Sequence, residues 1–312
     1  MIESGPSALT VVAGIRQSRF VGEHVTGERT VIVGIDGSPG SAVALRWAID
    51  HADRLGRVVP VMAFLSGPFE HGFGTRAGFD AAAEPYRREA VRRLLEFLEE
   101  HAPELVDDGA VVEFRAGPAL VEAAREAELL VVGTRGRGVR TDRSIGSVGA
   151  YCVRHATVPV ALIPDGAPPV HDRLSVVVGL DGSRQAKHAL RWTLDHVRRT
   201  ALVNAVRVTT AGHVVGDPLS RSADDAEGAA RRELERDVAE VVAVADGHPH
   251  VELLVVPGDP RDELGTAVAG TDLLVVGARG RGVIRRLMLG SVATALSHHP
   301  TLPTIVVPFG EG

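Results

Sequence analysis

The chain has 312 residues, 45% hydrophobic and 24% charged, with a net charge of −6 and a single cysteine, Cys152. That length is a prior for two domains, and the balance is that of globular protein. The charge carries no long basic run that would indicate a nucleic-acid partner, and one cysteine excludes an internal disulfide. The N-terminus lacks the basic region of a secretory signal, and no stretch reaches the ~20 apolar residues of a membrane span. The expectation is therefore a cytoplasmic protein with no membrane partner. Of the 34 basic residues only Lys187 is lysine, and it sits in AKHAL, a helical pattern. A Walker loop needs its lysine directly after a glycine-rich turn, so that motif is ruled out.

In chain order, residues 1–29 form an N-terminal extension, either a tail or a strand that pairs elsewhere. Val31 to Ile35 is an apolar run, a buried strand. Ser38 suits a helix N-cap and Pro39 the first helical position. The helix that follows carries Ala44, Trp47, Ala48 and Leu55 on one face, and Gly56 stops it. Val58 to Phe64 is the second strand. Residues 66–83, rich in Gly and Ala, are expected to be an irregular loop. A second helix has Val91, Leu94, Leu95 and Leu98 as its apolar stripe and a solvated Arg/Glu face. Ala110 to Arg115 is a strand, Pro118 to Ala127 a helix, and Leu129 to Val132 a strand apolar throughout. A helix from Ser147 and a strand from Val158 to Ile163 complete the unit.

That unit then recurs. VIVGIDGS (31–38) returns as VVVGLDGS (176–183), ALRWAIDH (44–51) as ALRWTLDH (189–196), and LLVVGTRGRGV (129–139) as LLVVGARGRGV (273–283). The offset is 145 residues early and 144 late, which marks a duplicated domain. The divisions expected are 30–164 for the first domain, 165–174 for the linker and 175–308 for the second. Strands alternating with helices build a mostly parallel, doubly wound α/β sheet with helices on both faces.

The motif with chemical content follows the fourth strand of each unit. It is Gly133-x2-Gly136-x9-Gly146-Ser147, and again Gly277-x2-Gly280-x9-Gly290-Ser291. Glycines let a backbone approach a ligand closely, and a helix starting at the serine directs free N–H groups and a positive dipole end at the loop. The first strand ends in Asp36, or Asp181, and ligands in such sheets sit beyond the C-terminal strand ends. If the first and fourth strands are neighbours, a carboxylate and an anion loop face one crevice. Arg135, Arg137, Arg140 and Arg143, with Arg279, Arg281, Arg285 and Arg286, are either phosphate contacts or solvated loop residues. The Asp246 to His250 segment reads as a turn rather than a metal site, and no Ser/His/Asp nucleophile arrangement stands out.

VGIDGS, LLVVG and G-x2-G-x9-G-S, present twice, resemble the universal stress protein family over residues 30–164 and 175–308. The resemblance implies five strands per domain in the order 3-2-1-4-5. It also implies ATP, with Mg2+ alongside, as ligand. Carried over by position, the first site is Asp36, Ala63, Gly133, Gly136, Gly146, Ser147 and Val148. The second is Asp181, Val208, Gly277, Gly280, Gly290, Ser291 and Val292. Ala63 departs from the aliphatic valine more usual there, at a contact made through backbone. Pairing of domains through their last strands is implied too, within one chain or between two in a homodimer. The function implied is a nucleotide-dependent conformational switch for an unknown protein partner in the stress response. The competing readings are a slow ATPase or nucleotidyl-transfer enzyme, and an interaction module that does not bind ATP.

Overall fold

The computed structural model describes residues 10–12, 15–18, 29–66, 76–136, 145–168, 174–209, 223–245, 247–259, 263–264, 270–278 and 302–308. The chain divides into two compact units. The first comprises residues 1–139 and 146–158, and the second residues 140–145 and 159–312.

The first unit is built on β3 (Thr30–Ile35), flanked by β4 (Arg57–Phe64) and β6 (Leu129–Gly133), both parallel to it. β5 (Ala110–Glu113) adds outside β4, so the order runs β5-β4-β3-β6. Winding thus reverses between β3 and β6, and the C-terminal ends of both open onto one edge. These strands are apolar on both faces because helices cover both. Val31, Val33, Leu129, Leu130 and Val131 are fully buried.

α1 (Pro39–Asp50) starts where the sequence places it. Ser38 Oγ accepts from the Ser41 N–H at 3.2 Å, and Pro39 occupies the first turn. The helix breaks at His51, and α2 (Ala52–Leu55) carries the chain to Gly56, whose φ of 113° ends it. Trp47 packs inward and stacks on His51 one turn later, with ring centroids 4.1 Å apart.

α3 (Arg76–His101) corrects one expectation, since residues 76–83 are helical rather than irregular and 67–75 lie outside the described residues. Gly78 and Pro85 are poor helix formers, but Val91, Leu94 and Leu98 bury against the sheet, each contributing roughly 1.5–3 kcal/mol. That is enough to carry a helix through a proline that forfeits one backbone bond. α4 (Ala116–Ala123) begins two residues before the expected Pro118, and α5 (Ser147–His155) begins at Ser147 as expected.

The N-terminal extension contributes strands. β1 (Thr10–Val12) and β2 (Ile15–Ser18) pair antiparallel, and β2 lies parallel to β5 with Arg16 opposite Ala110 and Ser18 opposite Val112. The edge of β5 is therefore covered, and Ala110, Val111 and Val112 are buried.

The second unit repeats the plan. β8 (Ser175–Gly179) is central, β9 (Leu202–Thr209) and β10 (His250–Pro257) follow on one side, and β11 (Leu273–Gly277) and β12 (Thr304–Val307) on the other. That is the order 3-2-1-4-5. α6 (Arg184–His196) and α7 (Ala223–Val242) pack on it, α6 capped by Ser183 as α1 is by Ser38. Trp192 is buried and stacks on His196, matching Trp47 and His51. β7 (Val160–Ile163) pairs antiparallel with β12, Ile305 lying opposite Ala161. β12 thus has partners on both edges.

Cys152 lies in α5, fully buried, and burial pushes its thiol up to about 12. An unfolded thiol titrates near ~8.5, so between these values the folded state holds a proton the unfolded state has lost. Stability is therefore expected to fall as pH rises from about 8.5 toward about 12. Urea midpoints measured from pH 7 to 10 should show that decline, and Cys152→Ala should flatten it. An unchanged slope in the variant would assign the decline to other groups.

Candidate functional site

The C-terminal edge of the first unit gathers most of the expected residues. Ile35 pairs with Met62, which places Asp36 level with Ala63 on the neighbouring strand. The Asp36-Gly37-Ser38 turn is tight. Gly37 has a φ of 77°, and Asp36 Oδ1 accepts from the Ser38 N–H at 3.0 Å and from Ser38 Oγ at 2.6 Å. A side chain at residue 37 would meet the left-handed penalty, so glycine recurs there as Gly182, φ 81°. The other Asp36 oxygen faces the loop after β6. A Cβ on Gly136 would sit 2.6 Å from Asp36 Oδ2.

Gly133 ends β6 against the first turn of α1, where an added Cβ would stand 2.8 Å from the Gly40 carbonyl oxygen. The far end of the loop is held by Gly146, whose N–H donates to the Thr134 carbonyl at 2.9 Å. Thr134 itself is buried. α5 then begins at Ser147, which is exposed, with Val148 half-buried. Unlike α1 and α6, α5 has no side-chain cap, so its first N–H groups stand beside the end of β6. Asp36, Ala63, Gly133, Gly136, Gly146 and Ser147 thus lie at one edge. Arg135 is exposed there, and Arg137, Arg140 and Arg143 lie outside the described residues.

The second unit shows the same start. Asp181 Oδ1 accepts from the Ser183 N–H at 2.9 Å. Gly179 pairs with Val206, which puts Asp181 level with Val208. Gly277 ends β11 against the first turn of α6, an added Cβ lying 2.9 Å from the Gln185 carbonyl carbon. Gly280, Gly290, Ser291 and Val292, with Arg279, Arg281, Arg285 and Arg286, lie outside the described residues.

One group near this edge has no counterpart in the first unit and no signature in the sequence. Arg207 on β9, at the position of Met62, is buried to 6% side-chain exposure. Its Nη2 donates to Asp237 at 2.8 Å and its Nη1 to Glu233 at 2.6 Å, both on α7. Its Nε reaches the carbonyl of Leu180, the residue before Asp181, at 3.3 Å. Lys187 on α6 meets Asp237 at 3.2 Å and Glu240, and the Glu240 carboxylate raises the ammonium's pKa. The chain's one lysine therefore ties α6 to α7 rather than serving a phosphate. Its uniqueness was the available signal, but the thirty residues separating Arg207 from Asp237 hid the pair. Among the described residues no cluster of His, Cys, Asp or Glu is arranged to hold a metal ion. None of their helices is long and apolar enough to cross a membrane.

The model of the universal stress protein family matches residues 28–164 and again residues 174–308. The chain belongs to the universal stress protein family. Universal stress protein Rv2005c of Mycobacterium tuberculosis is 35% identical to it over 196 residues, covering 61% of this chain and 64% of the relative. The chain thus spans a little under two thirds of that relative's length. Universal stress protein Rv2623 of the same organism is 29% identical over 310 residues, covering 88% of this chain and 95% of its own. The crystal structure of a universal stress protein from Archaeoglobus fulgidus aligns over 90% of this chain and 97% of its own, with a TM-score of 0.55 at 18% identity. That likeness is one of fold. This universal stress protein therefore carries two copies of the family's domain, each with its helices packed on parallel strands.

Proposed function

We propose that this universal stress protein binds ATP, accompanied by Mg2+, at the C-terminal edge of each sheet, and that occupancy sets which protein partner it engages. The observation that carries the reading is the meeting of Asp36 and Gly136 beside the N-terminus of α5, which has no side-chain cap. A carboxylate suits a ribose or an adenine amino group. A glycine backbone that a Cβ would block, together with a helix N-terminus that its N-cap residue, Gly146, does not cap, suits phosphate oxygens. Asp36 and the Ala63 backbone would hold the adenosine, and Gly133, Gly136, Gly146, Ser147 and Val148 the ribose and phosphates. In the second unit the same roles fall to Asp181, Val208, Gly277, Gly280, Gly290, Ser291 and Val292. The duplication supports two sites, since the β8 and β11 ends repeat the geometry of β3 and β6. Bound phosphate would order the loops 133–146 and 277–290, and that ordering is the switch we propose for a stress-response protein of the cytoplasm.

The test is nucleotide content. Purified protein is denatured and its supernatant run on an ion-exchange column, beside an ATP titration of the stripped protein. Two adenine nucleotides per chain are expected. None bound, with no signal at millimolar ATP, would leave an interaction module. Turnover of ATP, lost in a Ser147→Ala/Ser291→Ala variant, would replace the switch by an ATPase.

A further inference from the structure

The two units differ at one sheet edge. In the first, β5 is flanked by β4 and by β2 of the N-terminal extension. In the second, β10 holds the equivalent place and pairs with β9, and among the described residues no strand covers its other side. The two strands differ in exposure as well. Ala110, Val111 and Val112 are buried, whereas His250, Glu252 and Leu254 are exposed, Leu254 by 42%.

Hydrogen-bond direction along β10 can be read from one contact. The Gly258 N–H donates to the Thr209 carbonyl at 3.0 Å. Parallel pairing alternates, so residues 250, 252, 254 and 256 bond to β9, and Val251, Leu253 and Val255 direct N–H and C=O outward. Residue 257 would direct its N–H outward too, and it is Pro257, which has none. Among the described residues the open edge is therefore a three-residue ladder of Val, Leu and Val, without lysine or bulge, and Pro257 marks its end.

We propose that β10 pairs with β10 of a second copy of this chain, antiparallel across a two-fold axis at Leu253. The register follows from the alternation. Outward groups meet outward groups only if odd residues face odd ones, and centring on Leu253 uses all three, Val251 opposite Val255 and Leu253 opposite itself. Each pair exchanges two backbone bonds. The intervening pairs set Glu252 opposite Leu254 and His250 opposite Val256, so like charges never lie directly across. The last strands offer no such edge on β12, which β7 and β11 already flank. Among the described residues one strand, β2, is available to cover two equivalent edges, and it lies on β5.

The test is sedimentation velocity on the full chain over a range of concentrations, with variants on β10. Wild type is expected as a dimer of twice the 32.9 kDa chain mass at tens of micromolar. Leu253→Pro removes a central outward N–H without touching the β9 ladder, and should give a monomer. Leu254→Glu faces Glu252 of the other copy twice, and should raise the dimer Kd about tenfold. Leu254→Lys faces the same glutamate with opposite charge, and should hold or tighten the dimer. The two Leu254 variants keep the test sound if the proline variant misfolds, because that position is exposed. A monomer at every concentration overturns the proposal. So does a dimer indifferent to all three changes. A dimer lost on deleting residues 1–18 while Leu254→Glu leaves it intact also overturns it, since the occupant would then be an exchanged β2.

Discussion

Replacing Asp237 by alanine is expected to destabilise the second unit by about 3–5 kcal/mol. The Asp237 side chain is 4% exposed and that of Arg207 6%. Deleting one partner leaves a buried guanidinium with Glu233, itself 41% exposed, as its carboxylate partner among the described residues, beside the neutral Leu180 carbonyl. Lys187 loses a partner as well, but it keeps Glu240 and sits nearer water. The double change Arg207→Met/Asp237→Leu should recover most of the loss, because it removes both charges and Met62 shows that the equivalent place accepts methionine. Denaturant unfolding can be read unit by unit, since each unit holds one buried tryptophan, Trp47 or Trp192. In a Trp47→Phe background the fluorescence of Trp192 should report the destabilised transition. A loss below about 1 kcal/mol would place this pair among surface ion pairs.

The second large effect concerns binding. Gly136→Val is expected to lower ATP affinity in the first unit at least about tenfold, roughly 1.4 kcal/mol. Its Cβ would fall 2.6 Å from Asp36 Oδ2, inside any tolerable contact, so either the carboxylate or the loop must move. Either shift separates the group proposed for adenosine from those proposed for phosphate. Calorimetric titration should show one site weakened and the other unchanged. Gly166→Val is the control, as an added Cβ there meets nothing within 4 Å. Equal affinities in wild type and Gly136→Val would remove Asp36 and Gly136 from the site.

What was legible in the sequence was local or repeated. Ser38-Pro39 announces a helix start because capping involves residues three apart. Asp36 and Gly136 could be joined only through the assumption that β3 and β6 are neighbours, which the register of Val31 with Leu129 bears out. The start of α3 was hidden by Gly78 and Pro85, whose low propensity is outweighed by Leu94 and Leu98 further along the helix. β1 and β2 were hidden because strands of three and four residues are too short to show a period, and β2 is fixed by β5 from a distant part of the chain. The Arg207–Asp237 pair is invisible for a related reason. An arginine in a strand and an aspartate in a helix look solvated until the fold closes over both.

The pairing of β7 with β12 has a consequence for abundance. β7 ends the first sequence repeat and β12 the second, so two strands that separate polypeptides would have to find by collision are tethered in one. Their association is then governed by the reach of the intervening chain, and not by the amount of protein in the cell. Dilution cannot part them. A cell holding only a few copies would keep this strand pair as intact as one holding thousands.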